Sequence, residues 1–187
     1  SAVPLMWLFV LRDYQKQRIL TLISPETDTL GAGWNIVQSK TAIGSGGFYG
    51  KGWLNGTQSQ LDFLPESHTD FIIAVLAEEF GLLGVSITLL LYGLFLARCF
   101  FVSISAKSQF GRLFCGSFAL MIFLHIFVNL GMVSGILPVV GAPLPLVSFG
   151  ANSALTIFIG LGVLISIANE PRTVSYTHLR AHETNQD

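Results

Sequence analysis

The sequence predicts an all-α polytopic membrane protein: a helical bundle with three complete spans, part of a fourth, and one large extracytoplasmic loop. Three observations carry this. Charged residues make up 11% of the 187 residues, against about 25% in an ordinary soluble domain. Hydrophobic residues reach 51% and the mean hydropathy is +0.63. The charges are also unevenly placed, with no Asp, Glu, Lys or Arg anywhere in residues 113–169. The same arithmetic excludes other classes. Ten basic against 11 acidic residues give a net charge of −1, so the basic excess that nucleic-acid binding needs is absent. Two cysteines, Cys99 and Cys115, make neither a disulfide framework nor a metal knuckle. Near the expected cytoplasmic face they read as reduced, buried thiols.

Residues 1–11 (SAVPLMWLFVL) are apolar but too short to cross a bilayer, and they read as the end of a span. Residues 12–70 form the loop. Residues 71–101 read as a span with an uncharged core over 80–97. Residues 102–112 form a short connection, and Arg98, Lys107 and Arg112 gather around it without an acid. That bias marks a cytoplasmic side. A span needs about 20 residues, so the charge-free run holds two, at 113–137 and 145–168. Between them Pro138, Gly141, Pro143 and Pro145 cannot sit inside one regular helix, which places an extracytoplasmic turn at 138–144. Residues 169–187 return to the cytoplasm. Their last stretch, 174–187 (VSYTHLRAHETNQD), lacks apolar periodicity and reads as a non-native tail. His178 and His182 there stand at helical spacing, which also suits a metal pair, but the tail is left out of the functional reading.

A loop of this length calls for a function. Residues 34–43 (WNIVQSKTAI) suit a short amphipathic helix at the membrane surface. The run GSGGFYGKG at 44–52 is not a Walker A loop, because its spacing is one residue too long and Lys51 is followed by Gly52. Its backbone amides, with Lys40 and Lys51, remain candidates for holding a phosphate or pyrophosphate, beside the plainer reading of turn glycines.

Asp62, Glu66, His68 and Asp70 fall within nine residues immediately before a span. Asp70 is expected in the first turn of that helix, behind Ser67 or Thr69 as N-cap, where the helix dipole favours its charged form. It reads equally as a helix-start acid and as a site carboxylate. Glu78 and Glu79 lie deeper in an apolar helix, where an ionisable group is a functional hypothesis; the alternatives are snorkelling or pairing with a further span. Glu78 stands about 80° around the helix from Asp70 and roughly 12 Å along it, too far for a tight two-carboxylate site. In the charge-free run, Gly131 and Gly135 suit a close helix contact. His125 is expected to bond a neighbouring helix, and Asn129, Ser134, Ser148, Asn152 and Ser153 to find partners within the bundle.

The blocks LGAGWNIVQSK (30–40), IGSGG (43–47), GKGWL (50–54), GTQSQ (56–60), FLPESHTDF (63–71), AVLAEEFG (74–81), NLGMVSGILP (129–138) and GAPLPLVSFG (141–150) closely resemble the SEDS family. The resemblance favours its rod-shape-determining branch over its cell-division branch, and it covers about residues 1–172. It implies a ten-span peptidoglycan glycosyltransferase of the bacterial inner membrane, of which this chain would be the C-terminal portion. Such an enzyme polymerises lipid II beside a class B penicillin-binding protein as transpeptidase. The family's essential aspartate matches Asp70, and a second acidic position, usually Glu, is Asp62 here. Lys40, Lys51, Asp62, Glu66 and His68 are the expected substrate-binding set. A divalent cation, Mg²⁺ or Mn²⁺, is expected with unknown ligands. The family's Ser-Tyr-Gly-Gly-Ser reads SFGANS at 148–153, with a hydroxyl lost and a residue inserted.

Two other functions fit the composition. A lipid-precursor flippase or transporter would need charges along a path through the membrane, whereas the acids here collect at one face. A non-catalytic scaffold of the elongation machinery would tolerate loss of Asp70.

Overall fold

The computed structural model describes residues 12–25, 31–57 and 69–170. Among the described residues five helices follow one another: α1 (Asp13–Ile23), α2 (Ala32–Gly46), α3 (Ile72–Ser105), α4 (Gln109–Val133) and α5 (Ala151–Ala168). The last three are long and apolar enough to cross a membrane. The expected part-span at 1–11 and the tail from 171 lie outside the described residues.

The three long helices run up and down. At one end Ser108 starts α4, its hydroxyl accepting from the Gly111 amide at 3.0 Å, as a serine N-cap does. Around it Arg112 Nε donates to the Ala106 carbonyl at 2.8 Å, and Lys107 Nζ reaches the Glu170 carbonyl beyond α5 at 2.6 Å. Cys99 and Cys115 are free and buried. Between α4 and α5 the Phe118 ring packs against Gly160, where a methyl group would sit 2.2 Å from a ring atom. Lipid offers no hydrophobic drive for helix association, so such small-residue contacts carry the packing.

The helix ends differ from the sequence expectation for local reasons. The second full span runs 109–133, not 113–137, because Ser108 caps it early and Gly135 (φ +69°) ends it. The amides of Ile136 and Leu137 fold back onto the Gly131 carbonyl, at 2.8 and 2.9 Å, closing a glycine C-cap. Gly131 therefore packs on Leu137 of its own cap, while Gly135 takes the close contact, with Lys40 and Ile36 of α2. The third full span starts at Ala151, not 145. Before it Ser148 accepts from the Leu144 amide at 2.8 Å, and that turn lengthens the non-helical connection to 134–150.

Residues 12–70 are not a plain loop. The structure places α1 and α2 there, and α2 packs on α3 and α4 through Gly33, Ile36, Ser39, Ala42 and Gly46. This three-to-four-residue spacing is one helix face. A surface-lying helix was expected, and its buried face turns out to be docked on the spans. Ser39 fixes it by donating to the Val133 carbonyl at 2.9 Å.

Candidate active site

α3 is broken. Gly81 has φ 66° and ψ −162° inside it, a conformation that only glycine adopts without strain. A break in a span frees backbone groups that lipid cannot satisfy, and the glycine-rich segment after α2 takes them up. The amides of Leu82 and Leu83 donate to the carbonyls of Gly47 (2.9 Å) and Phe48 (3.2 Å). In return the carbonyls of Glu78 and Glu79 accept from the amides of Lys51 (2.9 Å) and Gly52 (3.0 Å). The glycines are what permit this approach, since a methyl on Gly46 would fall 1.9 Å from the Ala77 carbonyl oxygen and one on Gly50 2.1 Å from that of Glu79. Residues 47–52 thus form a strap across the break. With the Gly50 amide also bonded, to Gly46 at 2.8 Å, three consecutive strap amides are engaged within the chain and do not form an open phosphate cradle.

Lys51 follows the strap inward. Its ammonium lies 2.7 Å from Glu78 Oε1, and Glu78 is fully buried. The same oxygen accepts from the Thr57 amide at 2.9 Å and the Thr57 hydroxyl at 3.0 Å. Glu78 therefore neither snorkels nor waits for a further span, because its counter-ion comes from this chain. Glu79, one residue on, is half-buried.

Asp70 sits at the other end of the short helical segment 72–80. It precedes Phe71, the N-cap of α3, so it stands just ahead of the helix and not in its first turn. Its backbone is held twice over. Asn129 of α4 donates through Nδ2 to the Asp70 carbonyl at 2.8 Å and to the Ala142 carbonyl at 2.7 Å, while the Ser148 hydroxyl bonds the neighbouring Thr69 carbonyl. The Tyr92 hydroxyl bonds the Pro145 carbonyl and ties the same connection to α3. Asp70 is 8% exposed, and a methyl on Gly141 would lie 3.3 Å from its Oδ2. The proline-rich connection therefore walls the carboxylate.

Lys40 extends over Gly135 at the C-terminus of α4, a position where the helix dipole favours a cation. It shares with Asp70 the end of the bundle opposite Lys107 and Arg112. Asp62, Glu66 and His68 lie outside the described residues. Among the described residues no group of three His, Cys, Asp or Glu side chains could hold a metal ion. Of the bundle's polar set, Asn129 and Ser148 are the ones that build the site. His125 bonds the Met121 carbonyl of its own helix at 2.9 Å, where a neighbouring helix was expected. Sequence reasoning had Asn129 and Ser148 only as bundle polar groups, since nothing local marks the residue whose carbonyl each one serves.

A multi-pass helical bundle with one carboxylate fixed just ahead of a long apolar helix defines the class as a polytopic membrane protein with a site at one bundle end. The chain belongs to the FtsW/RodA/SpoVE family of cell cycle proteins, whose pattern matches residues 1–173. Peptidoglycan glycosyltransferase MrdB of Escherichia coli K12 is 54% identical over 173 residues, 92% of this chain and 47% of that protein. Peptidoglycan glycosyltransferase RodA of Treponema pallidum is 42% identical over 163 residues, 87% of this chain and 38% of that protein. Among solved structures, a peptidoglycan synthase complex that coordinates polymerization and crosslinking contains a chain matching at TM-score 0.70 and 33% identity, over 89% of this chain and 45% of that one. The rod shape determining protein RodA of Thermus thermophilus matches at TM-score 0.51 and 29% identity, over 85% of this chain and 57% of that one. The chain spans about half the length of the curated relatives it matches, or less.

Proposed function

We propose that this chain carries the catalytic carboxylate of a peptidoglycan glycosyltransferase that polymerises lipid II in the bacterial inner membrane during cell elongation. The observation that carries the reading is Asp70: a nearly buried carboxylate whose backbone is anchored by Asn129 and Ser148, facing Gly141 at one end of the spans. Its relatives' names supply the reaction class.

In this reading the 4-hydroxyl of the acceptor sugar attacks the anomeric carbon of the donor. The C–O bond to undecaprenyl pyrophosphate breaks as the new glycosidic bond forms. An α-linked donor gives a β-linked product by one inverting displacement, and Asp70 takes the hydroxyl proton as general base. Lys40, at the same bundle end as Asp70, is assigned to the charge of the leaving pyrophosphate. Lys51, bound to Glu78, is assigned to holding the site's frame. Asp62, Glu66 and His68 complete the substrate-binding set. Mg²⁺ or Mn²⁺ is proposed as a counter-ion to the substrate's pyrophosphate, so chelation should stop polymerisation and re-addition restore it. The Asp70 end faces outward, the Lys107 end faces the cytoplasm, and the partner is a class B penicillin-binding protein.

The test is lipid II polymerisation by a chimera in which this chain replaces the matched region of the E. coli relative, assayed with the partner transpeptidase. Asp70→Asn should lower the rate by about 10²–10⁴-fold, the span of general-base catalysis, while the protein stays folded and bound to its partner. Normal polymerisation by the variant would reduce Asp70 to a helix-start acid. The base would then be sought at Asp62 and Glu66.

A further inference from the structure

We infer that the Lys51–Glu78 pair is a positioning device for Asp70, an inference that rests on the glycosyltransferase reading above. The break at Gly81 separates the two-turn segment 72–80 from the rest of α3, so the long helix cannot by itself fix the direction of its first turns. That segment carries Asp70 ahead of its N-terminal end and Glu78 near its C-terminal end. The front is held by Asn129 and Ser148, and the rear by the strap carbonyls and amides and by the ion pair.

Beside the strap's backbone bonds, one carboxylate oxygen gathers the side-chain contacts of the rear hold. Glu78 Oε1 takes the Lys51 ammonium at 2.7 Å and both Thr57 donors at 2.9 and 3.0 Å, in a pocket from which its side chain is wholly excluded from solvent. A charge buried this deeply is costly unless paired, so the segment has one low-energy setting, the one that keeps carboxylate and ammonium together. Turning the segment about its axis would swing Glu78 off Lys51 and Asp70 off Gly141 in the same motion. The pair therefore sets the carboxylate's bearing on the acceptor without touching the substrate, and Glu78 and Lys51 act through Asp70.

The experiment uses the same chimera, purified as the monodisperse folded fraction, with kcat per folded molecule and KM for lipid II measured separately. Lys51→Met and Glu78→Gln should each lower kcat at least tenfold and move KM less than threefold. Lys51→Arg, which keeps the cation, should retain kcat within about threefold. The Lys51→Met/Glu78→Gln double variant should be no slower than the slower single, because both remove one interaction. Normal kcat in the folded fraction of the single variants, with only the yield reduced, would overturn the inference, as would additive losses in the double. An inactive parent chimera would instead overturn the glycosyltransferase reading, whereas a wild-type rate for Asp70→Asn would remove Asp70 as the base and with it the group the pair is inferred to position.

Discussion

At the scale of residues, the site is made by side chains that serve backbone atoms. Asn129 is the clearest case: one amide nitrogen serves two carbonyls, of Asp70 and Ala142, and so joins α3's start to the proline-rich connection. Replacing it by leucine would leave the buried Asp70 carbonyl without that donor, at about 1–3 kcal/mol for an unsatisfied buried group, and would free the half-buried Ala142 carbonyl as well. Asn129→Leu should therefore unfold at lower temperature in detergent and lose polymerisation faster than it loses helix content. Thermal melts followed by circular dichroism and by activity would check this, and coincident loss of both would contradict it. The place of Asp70 directly before an apolar helix was legible in the sequence, which by itself left it equally a helix-start acid and a site carboxylate. Its anchors were not, because Asn129 lies 59 residues from Asp70 and Ser148 79 residues from Thr69 along the chain. Nor was the pairing of Lys51 with Glu78, which are 27 apart.

At the scale of elements, composition located the spans and local chemistry set their ends. Charge-free stretches reveal a membrane helix because the bilayer tolerates little else. Helix ends respond to a single hydroxyl or glycine, as Ser108 and Gly135 show. The break in α3 left no such trace, since Gly81 sits in an otherwise regular apolar helix and the partners that make its geometry possible belong to the strap. Its cost when disturbed follows directly. Gly81→Ala puts a methyl 2.4 Å from the Gly50 amide nitrogen at a backbone setting that disfavours any side chain by about 1–3 kcal/mol. The variant should lose several kcal/mol of stability. Gly44→Ala is the control: it lies in α2 with open space around it, and it should be neutral or gain up to about 1 kcal/mol in helix propensity. Equal melting temperatures for the two variants would contradict the assignment.

At the scale of the molecule, the two ends of the bundle differ in kind. One gathers Asp70, Gly141 and Lys40, the other Lys107, Arg112 and the Glu170 carbonyl. Single cysteines at Val140 and at Ser108, each in a background without Cys99 and Cys115, should react with an impermeant maleimide from opposite sides of the membrane. Val140 should react from outside and Ser108 only after the cells are opened; labelling of both from one side would refute the up-and-down arrangement. Between a tenth and a third of each span's apolar window is covered within the chain, so most of the apolar surface faces lipid or other protein. The strap across Gly81 bears on how such a molecule is made. Its four backbone bonds serve groups that residues 78–83 could otherwise bond among themselves as ordinary helix. Before α2 arrives, α3 can enter the bilayer as an unbroken rod at no cost in unpaired amides. Docking of the strap would then exchange two helix bonds, Leu82 to Glu78 and Leu83 to Glu79, for the four strap bonds, so no half-open helix need cross the lipid.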